Sequence, residues 1–176
     1  MAFIKKKICL LGSFAVGKTS LVERFVYNRF DEKYLTTVGV KISQKIMPPI
    51  QDRKNSQMIQ HNFLIWDIAG FEKFDHVAKN YLRGAAGALG VADLTRPDTI
   101  GQLKDFCDQF QAVSPEAFCI IIGNKLDIFD NNPKTLSHLE KITAHYETEY
   151  RLTSAKTGVH IDDAFFMLSK KIQGLA

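Results

Sequence analysis

The stretch Gly12-Ser-Phe-Ala-Val-Gly17-Lys18-Thr19 decides the fold of this chain. It fits the pattern G-x-x-x-x-G-K-[ST], follows an apolar run in Phe3–Leu11 that predicts a buried strand, and precedes a helical pattern over Ser20–Asn28. A glycine loop between a strand and a helix points successive backbone N–H groups inwards as an anion nest, next to the positive end of the helix. The stretch therefore predicts a phosphate-binding loop, in which Lys18 reaches the β- and γ-phosphates and Thr19 offers a hydroxyl to Mg²⁺. The alternative is a plain glycine turn before Lys-Thr.

A second motif contains an aspartate just after another apolar strand, in Phe63-Leu-Ile-Trp66-Asp67-Ile-Ala69-Gly70. An ionised carboxylate at Asp67 suits the hydration shell of Mg²⁺ in a phosphate-loop protein. Gly70 allows its backbone N–H to approach a terminal phosphate closely. Alone, Asp67 would be interpreted as a helix cap or turn residue. Because the chain also contains a phosphate loop, a role in Mg²⁺ binding is favoured.

Asn124-Lys125-Leu126-Asp127 follows the apolar run Phe118–Ile122 and predicts a guanine site. The Asp127 carboxylate can accept hydrogen bonds from N1–H and the exocyclic amine of guanine, whereas adenine offers an acceptor at N1 and repels it. Asn124 can bridge to the base or hold the phosphate loop, and the Lys125 stem can cover one face of the base. Taken alone, these residues fit a surface turn equally well. Thr153-Ser-Ala-Lys156 follows the last short strand, and its backbone N–H groups could reach the guanine carbonyl.

Strand and helix patterns alternate along the chain, apart from one hairpin near residues 38–66. We therefore predict a three-layer α/β phosphate-loop fold with a mostly parallel sheet, one antiparallel edge strand and helices on both faces. The predicted strands are Phe3–Leu11, Val38–Met47, Met58–Trp66, Ala86–Ala92, Phe118–Ile122 and Thr148–Leu152. The predicted helices are Ser20–Asn28, Asp75–Arg83, Asp98–Val113, Lys134–His145 and Asp162–Ile172. Pro48–Gln57 is predicted to be a loop.

The composition is typical of a single globular domain. The chain has 176 residues, of which 45% are hydrophobic and 24% charged, and a net charge of +4. These values predict one domain over residues 1–176 and exclude collagen, a coiled coil and a disordered tail. No nucleic-acid binding is predicted, because no dense basic run is formed by Lys33, Lys41, Lys45, Arg53 and Lys54. The three cysteines have no pattern, which indicates reduced thiols and a cytoplasmic location.

Taken together, these motifs resemble the Ras superfamily of small GTPases, and within it the Rab-like group. The similarity includes Tyr34–Val40 and Trp66–Gly70, which resemble the two switch regions, and Thr153–Gly158 with Asp163–Phe166, which resemble the base loop and the final helix. The resemblance implies a six-stranded sheet with about five helices, bound GTP or GDP, and Mg²⁺ as cofactor.

The resemblance also implies roles for individual residues. Thr37 supplies a second hydroxyl to Mg²⁺, Phe30 lies against the guanine and Tyr34 closes over the phosphates. The metal set is Thr19, Thr37 and, through water, Asp67. The catalytic positions are Lys18, Thr37, Gly70 and Phe71. The nucleotide-binding set is Ser13, Phe14, Ala15, Val16, Gly17, Lys18, Thr19, Ser20, Phe30, Tyr34, Thr37, Asp67, Gly70, Asn124, Lys125, Asp127, Ser154, Ala155 and Lys156.

Two departures from the family concern the γ-phosphate. Phe71 stands where the family has the glutamine that orients the attacking water, and Glu72 lies one residue beyond that position. Phe14 stands where the family has a small residue, and its ring would crowd the γ-phosphate and the approach of an arginine finger. We therefore expect a GTPase whose intrinsic and activator-stimulated hydrolysis are both impaired. The alternatives are a module that holds GTP with negligible turnover and, against Asp127, an adenine-nucleotide kinase or ATPase.

The resemblance implies partners as well. Effector, exchange-factor and activating proteins would meet residues 31–42 and 68–80, where Ile68, Phe71, Phe74 and Val77 add apolar surface. The protein is expected to be a monomer. Gln173–Ala176 contains no cysteine for prenylation, and Ala2 rules out N-myristoylation. Either a tail was removed or the protein uses no lipid anchor, so it would meet membranes only peripherally, through a tail or partner outside this chain.

Overall fold

A central seven-stranded sheet organises the molecule. The computed structural model describes residues 2–33, 36–52, 56–69 and 76–175. The strands are β1 (Ala2–Leu11), β2 (Val40–Ile46), β3 (Ile50–Gln51), β4 (Met58–Ile68), β5 (Gly87–Asp93), β6 (Phe118–Asn124) and β7 (Tyr150–Leu152). The helices are α1 (Lys18–Tyr27), α2 (His76–Leu82), α3 (Pro97–Val113), α4 (Pro133–His145) and α5 (Ile161–Ile172).

The strand order is β2-β4-β1-β5-β6-β7, and β3 pairs with β4 outside this path. The four pairings from β4 through β1, β5 and β6 to β7 are parallel, while β2 and β3 run antiparallel to β4. The carboxyl ends of β1, β4, β5 and β6 therefore lie at one edge of the sheet. In open parallel sheets this edge is where ligands bind.

Two hydrophobic cores lie on opposite faces of the sheet, because successive side chains of a strand point to opposite sides. On β1, Ile8 and Leu10 join the core that contains α1 and α5, whereas Cys9 and Leu11 join the core that contains α3. The first core includes a stacked pair of rings, Phe25 of α1 and Phe165 of α5, whose centroids are 3.8 Å apart. This three-layer arrangement confirms the predicted fold class, although the sheet has seven strands and not six because β3 is a second strand antiparallel to β4.

The predicted elements agree with the observed ones to within one or two residues at most ends. The prediction of Pro48–Gln57 as a continuous loop is wrong, because it contains the two-residue strand β3. Ile50 is 6% exposed and pairs with Ile59 of β4. Burial of this one apolar side chain explains why a proline-containing segment returns to the sheet.

The three cysteines are free and buried. Cys107 of α3 and Cys119 of β6 bring their sulfur atoms to 3.7 Å within the second core. Among the residues that the structure describes, no helix is both long and apolar enough to cross a membrane.

Candidate nucleotide-binding site

The phosphate loop connects β1 to α1 at the carboxyl edge of the sheet. Gly12 and Gly17 have φ values of 135° and 100°, a region that side chains with a Cβ rarely adopt. A Cβ at Gly12 would overlap the Val91 carbonyl oxygen, and a Cβ at Gly17 would overlap the Asn124 side chain. Both glycines are therefore required for the loop to lie against β5 and β6.

Lys18, the first residue of α1, folds back over this loop. Its Nζ donates hydrogen bonds to the carbonyl oxygens of Gly12 at 2.8 Å and Ser13 at 2.9 Å, and the residue is 7% exposed. Burial lowers the pKa of Lys18 to about 8, partly opposed by the nearby Asp67 carboxylate. The ammonium is thus fixed at the centre of the loop, where it can meet an incoming phosphate.

Three oxygen-bearing side chains from different elements meet beside the start of α1. Thr19 Oγ1 lies 2.6 Å from Thr37 Oγ1 and 2.5 Å from Asp67 Oδ2. Thr37 comes from the segment before β2, and Asp67 from the end of β4. These are the three residues assigned to Mg²⁺ from the sequence.

The Asp67 carboxylate is almost fully buried, at 1% exposure. Burial raises its pKa, while the hydrogen bond from Thr19 and the charge of Lys18 act in the opposite direction. Its second oxygen, Oδ1, has no hydrogen-bond partner within the part of the chain that the structure describes. A buried, unpaired carboxylate oxygen beside two hydroxyls is an all-oxygen donor set of the kind that Mg²⁺ prefers. The residues present fit the ion.

Asn124, the last residue of β6, ties the phosphate loop to the base loop at residues 153–158. Its Nδ2 donates to the Val16 carbonyl oxygen at 3.0 Å. Its Oδ1 accepts hydrogen bonds from the Ala155 backbone N–H and the Thr153 hydroxyl, each at 3.2 Å. Of the two roles considered for Asn124, these contacts correspond to holding the phosphate loop.

Asp127 lies in a short 3-10 turn after β6 and is exposed. Its Oδ1 accepts a hydrogen bond from the Ser154 hydroxyl at 2.6 Å, which orients the carboxylate. The neighbouring Lys156 is exposed and forms an ion pair with Glu32 at 3.1 Å. Two of the residues assigned to the nucleotide, Asp127 and Ser154, are therefore in direct contact.

Sequence reasoning missed Arg24, which fixes the base loop from α1. Arg24 Nε donates to the Ala155 carbonyl oxygen at 2.9 Å and Nη2 donates to the Lys156 carbonyl oxygen at 2.5 Å. These bonds hold the loop whose N–H groups were assigned to guanine. No local pattern in α1 distinguishes this arginine from an ordinary surface residue.

Sequence reasoning also missed Asp93, the last residue of β5. Asp93 is 1% exposed and pairs with Lys125 Nζ at 2.6 Å and Arg96 Nε at 3.1 Å. Although burial disfavours the charge, the hydrogen bonds from Lys125, Thr95 and Arg96 together lower the pKa of Asp93. The rule that singled out Asp67 and Asn124, a polar side chain at the carboxyl end of a buried strand, could have found it.

The remaining assigned residues surround these groups. Phe30 is half-buried and packs against the first core. Phe14 is 41% exposed, and its carbonyl oxygen accepts a hydrogen bond from Arg96 at 2.9 Å. Ser13 donates to Gln102 of α3. Val16 is buried, and Ala15 and Ser20 are half-buried. Tyr34, Gly70 and Phe71 lie outside the described residues.

The predicted contribution of Ile68 to an exposed apolar surface is wrong. Ile68 is 3% exposed and belongs to the second core, together with Leu11 and Leu82. It is buried because it is the last residue of β4 and its side chain faces this core rather than solvent. Phe71 and Phe74, assigned to the same surface, lie outside the described residues, as does the side chain of Val77. Val38 and Ile42 are 90% and 54% exposed in the other predicted partner segment.

The chain is similar to known proteins over almost its whole length. A model of the Ras family matches residues 7–174. Ras-related protein Rab-31 of Rattus norvegicus is 35% identical over 176 residues, covering 99% of this chain and 87% of the relative. Ras-related protein Rab-22A of Homo sapiens is 34% identical over 173 residues, covering 98% and 86%. GTP-binding protein ypt4 of Schizosaccharomyces pombe is 33% identical over 168 residues, covering 94% and 70%.

Proposed function

Because this chain belongs to the Ras family of small GTPases, we propose that the site at the carboxyl edge of its sheet hydrolyses GTP slowly and signals through the bound nucleotide. As a Rab-like member of that family, the protein is a guanine-nucleotide switch that binds GTP or GDP with Mg²⁺. Beyond this family role, we propose which residues hold the nucleotide and that its hydrolysis is slow. It also takes residues 1–176 as one nucleotide-binding domain.

The observation that carries the proposal is the meeting of Thr19, Thr37 and Asp67 beside the phosphate loop. Thr37 belongs to the segment that resembles the first switch region, and Asp67 to the segment that resembles the second. Mg²⁺, when bound, would neutralise charge on the phosphate oxygens. In our proposal, Thr19 and Thr37 hold the ion directly, Asp67 holds it through water, and Lys18 supplies charge to the β- and γ-phosphates.

Slow hydrolysis follows from the chemistry of two side chains. Phe71 has no polar atom that could orient a water molecule, and Phe14 places an aromatic ring on the phosphate loop. In Ras-like proteins, water positioning and an arginine finger account for most of the rate. The groups assigned to the β-phosphate, the metal and the base, which are Lys18, Thr19, Asp67 and Asp127, keep their family identity, so we expect tight binding with little turnover.

A module that holds GTP with negligible turnover is the second candidate, and the same two phenylalanines favour it. The two candidates differ in rate and share one site. An adenine-nucleotide enzyme is disfavoured because Asp127, held by Ser154, would repel N1 of adenine.

Partner binding is proposed at residues 31–42 and 68–80. Val38 and Ile42 supply exposed apolar side chains in the first of these segments. Exposed apolar groups that lie beside Thr37 would be rearranged when Thr37 gains or loses its contact with the metal. A partner captured equally by the GDP form and by a form loaded with a non-hydrolysable GTP analogue would contradict this proposal. Contact with membranes is proposed to be peripheral, from the cytoplasm.

The identity of the bound nucleotide tests the guanine assignment. Nucleotide released by denaturing the purified protein should elute with GDP or GTP on ion-exchange chromatography. In competition, GTP should displace a fluorescent GDP analogue while ATP leaves it bound. Equal displacement by ATP and GTP would overturn the guanine assignment.

A further inference from the structure

Arg96 connects the buried carboxylate of Asp93 to the backbone of the phosphate loop. The guanidinium uses two different N–H groups: Nε donates to Asp93 Oδ2 at 3.1 Å, and Nη2 donates to the Phe14 carbonyl oxygen at 2.9 Å. We propose that Arg96, held by Asp93, is a positioning residue that fixes the phosphate loop at Phe14 and slows nucleotide release. This proposal rests on the proposed function, because it needs a nucleotide in the site.

The Asp93 carboxylate accepts hydrogen bonds from several neighbouring residues. Asp93 Oδ1 accepts from the backbone N–H of Thr95 at 2.9 Å and from the Thr95 hydroxyl at 2.6 Å. Oδ2 accepts from Arg96 and from Lys125. A carboxylate has about four lone-pair positions, and all of them are occupied here. Such a carboxylate, 1% exposed, is a rigid support for the two cations.

The backbone holds Arg96 in place as well. Arg96 donates its own N–H to the Asp93 carbonyl oxygen at 2.9 Å and is the N-cap of α3, directly before Pro97. The backbone turn, the Asp93 carboxylate and the start of α3 therefore restrict the position of Arg96. Its planar fork holds two acceptors in fixed directions, whereas the donors of a lysine ammonium rotate about a flexible stem.

The two ends of this network lie on the two loops that a nucleotide would touch. Arg96 contacts the phosphate loop at Phe14, and Lys125 belongs to the guanine-assigned segment after β6. Both cations share Asp93 Oδ2. Asn124 makes a separate connection between β6 and the phosphate loop at Val16. Arg96 therefore secures the outer half of the phosphate loop, which the Asn124 contact does not reach.

The consequence for the nucleotide is kinetic. A phosphate bound in an anion nest leaves when the loop opens, and opening at Phe14 requires the bond from Arg96 to break. Loss of a hydrogen bond from a charged group of this type would make release about tenfold faster, equivalent to about 1.4 kcal/mol. The exposed position of Arg96, with 40% of its side chain accessible, makes it suitable for substitution without a large packing loss.

Release of a fluorescent GDP analogue, measured by stopped flow against excess GDP, tests the role of Arg96. R96A should release the analogue about tenfold faster than wild type, and R96K should remain faster than wild type because its flexible ammonium lacks the rigid fork that joins Asp93 to Phe14. K104A is the matched control, since it removes an exposed ion pair with Asp108 on the same helix and should leave the release rate unchanged. The fraction of protein that binds the analogue should stay constant, whereas a folding defect would lower it.

The outcomes separate the two proposals. If wild type retains the analogue but R96A releases it at the wild-type rate, the role of Arg96 is overturned and the proposed function stands. If R96K restores the wild-type rate, the two-ended contact is wrong. If wild type does not bind the analogue, the proposed function fails and the role of Arg96 fails with it. Faster release from K104A by the same factor would mean that any loss of charge on α3 has this effect.

Discussion

The Thr19 hydroxyl donates a hydrogen bond to the Asp67 carboxylate across 2.5 Å, joining the first turn of α1 to the end of β4. The two residues are 48 positions apart: Thr19 lies on the helix that follows β1, and Asp67 lies at the carboxyl end of β4. Thr37 reaches the same hydroxyl at 2.6 Å. The candidate metal site is thus a meeting point of the helix and both switch segments.

Asp67→Asn should weaken Mg²⁺ binding by about 10- to 100-fold, because a neutral amide attracts the hydration shell of the ion less strongly than a carboxylate. The measurement is the Mg²⁺ concentration needed to hold a fluorescent GDP analogue on the protein. Asp108→Asn, an exposed change on α3, is the control. Equal Mg²⁺ requirements for Asp67→Asn and wild type would rule out the assignment of Asp67.

Asn124 and Asp127 should affect different properties although they lie three residues apart. Asn124→Ala leaves the buried Val16 carbonyl and Ala155 N–H without partners, which should lower the free energy of unfolding by about 2–4 kcal/mol. Asp127→Ala removes an exposed carboxylate and should change stability by less than about 1 kcal/mol while weakening guanine-nucleotide binding. Urea denaturation and nucleotide titration measure the two effects. A large stability loss from Asp127→Ala would contradict this division.

Lys18 should take up a proton when GDP binds near pH 8. Its pKa is lowered to about 8 by burial, so about half of the unliganded molecules carry the charge at that pH. A phosphate beside the ammonium favours the charged form and raises the pKa, so binding completes the protonation. Calorimetry of GDP binding in Mg²⁺-free buffers of different ionisation enthalpy should show net proton uptake near pH 8, where the terminal phosphate of GDP is already ionised. The absence of proton uptake near pH 8 would count against this role.

His61 predicts how stability depends on pH. This residue of β4 is fully buried, and its Nδ1 lies 2.8 Å from the hydroxyl of Ser169 on α5. Burial, and secondarily the charge of Lys6, lower its pKa below the usual 6.5. The unfolded chain therefore takes up a proton before the folded protein does, and stability falls as the pH drops below about 6.5.

His61→Gln keeps a polar partner for Ser169 but does not titrate. Its free energy of unfolding, from urea titrations at pH 7, 6 and 5, should vary less with pH than that of wild type. The two proteins differ only at residue 61, so the difference between their pH dependences reports on that residue. An equally steep loss in the variant would show that His61 stays unprotonated in both states or that its pKa does not change on folding.

Much of the fold could be predicted because its strands are apolar and its loops carry glycine and polar residues. The purest apolar run, Phe118–Ile122, lies inside β6 in the sheet interior, as expected. The segment that became β3 could not be predicted, since two residues next to a pair of prolines carry no strand pattern. Its position depends on burial of Ile50 against the rest of the molecule.

The candidate site was predictable where a motif lies on contiguous residues, and less so where the contact is long-range. Lys18, Asp67 and Asn124 each follow a strand within a recognisable pattern. Arg96 follows a strand too, but its proposed role depends on a contact with Phe14, which lies 82 residues earlier in the sequence. Ile68 was predicted to be exposed because it adjoins the second switch segment, whereas it is the last residue of β4 and its side chain belongs to the second core.

Two substitutions should accelerate hydrolysis by restoring the groups that the chain lacks. Phe71→Gln supplies an amide that can orient water, and should raise the rate if the Phe14 ring leaves the water site clear. Phe14→Gly with Phe71→Gln should raise it further, because the ring is removed as well. Single-turnover assays on protein preloaded with GTP compare the three forms, with Phe118→Leu, at an exposed position remote from the site, as control. A double variant no faster than wild type would mean that neither ring limits the reaction.

The most direct test of the account is the single-turnover rate at which the wild-type protein hydrolyses bound GTP with Mg²⁺ and without an activator. Intrinsic hydrolysis in Ras-like proteins is on the order of 10⁻⁴ s⁻¹, and loss of one orienting hydrogen bond should lower it about tenfold. The account predicts a rate near or below ~10⁻⁵ s⁻¹, with GTP still bound at the end of the assay. A rate at or above ~10⁻⁴ s⁻¹ would contradict it, and would mean that another group, such as Glu72 or a backbone carbonyl of the second switch, positions the water.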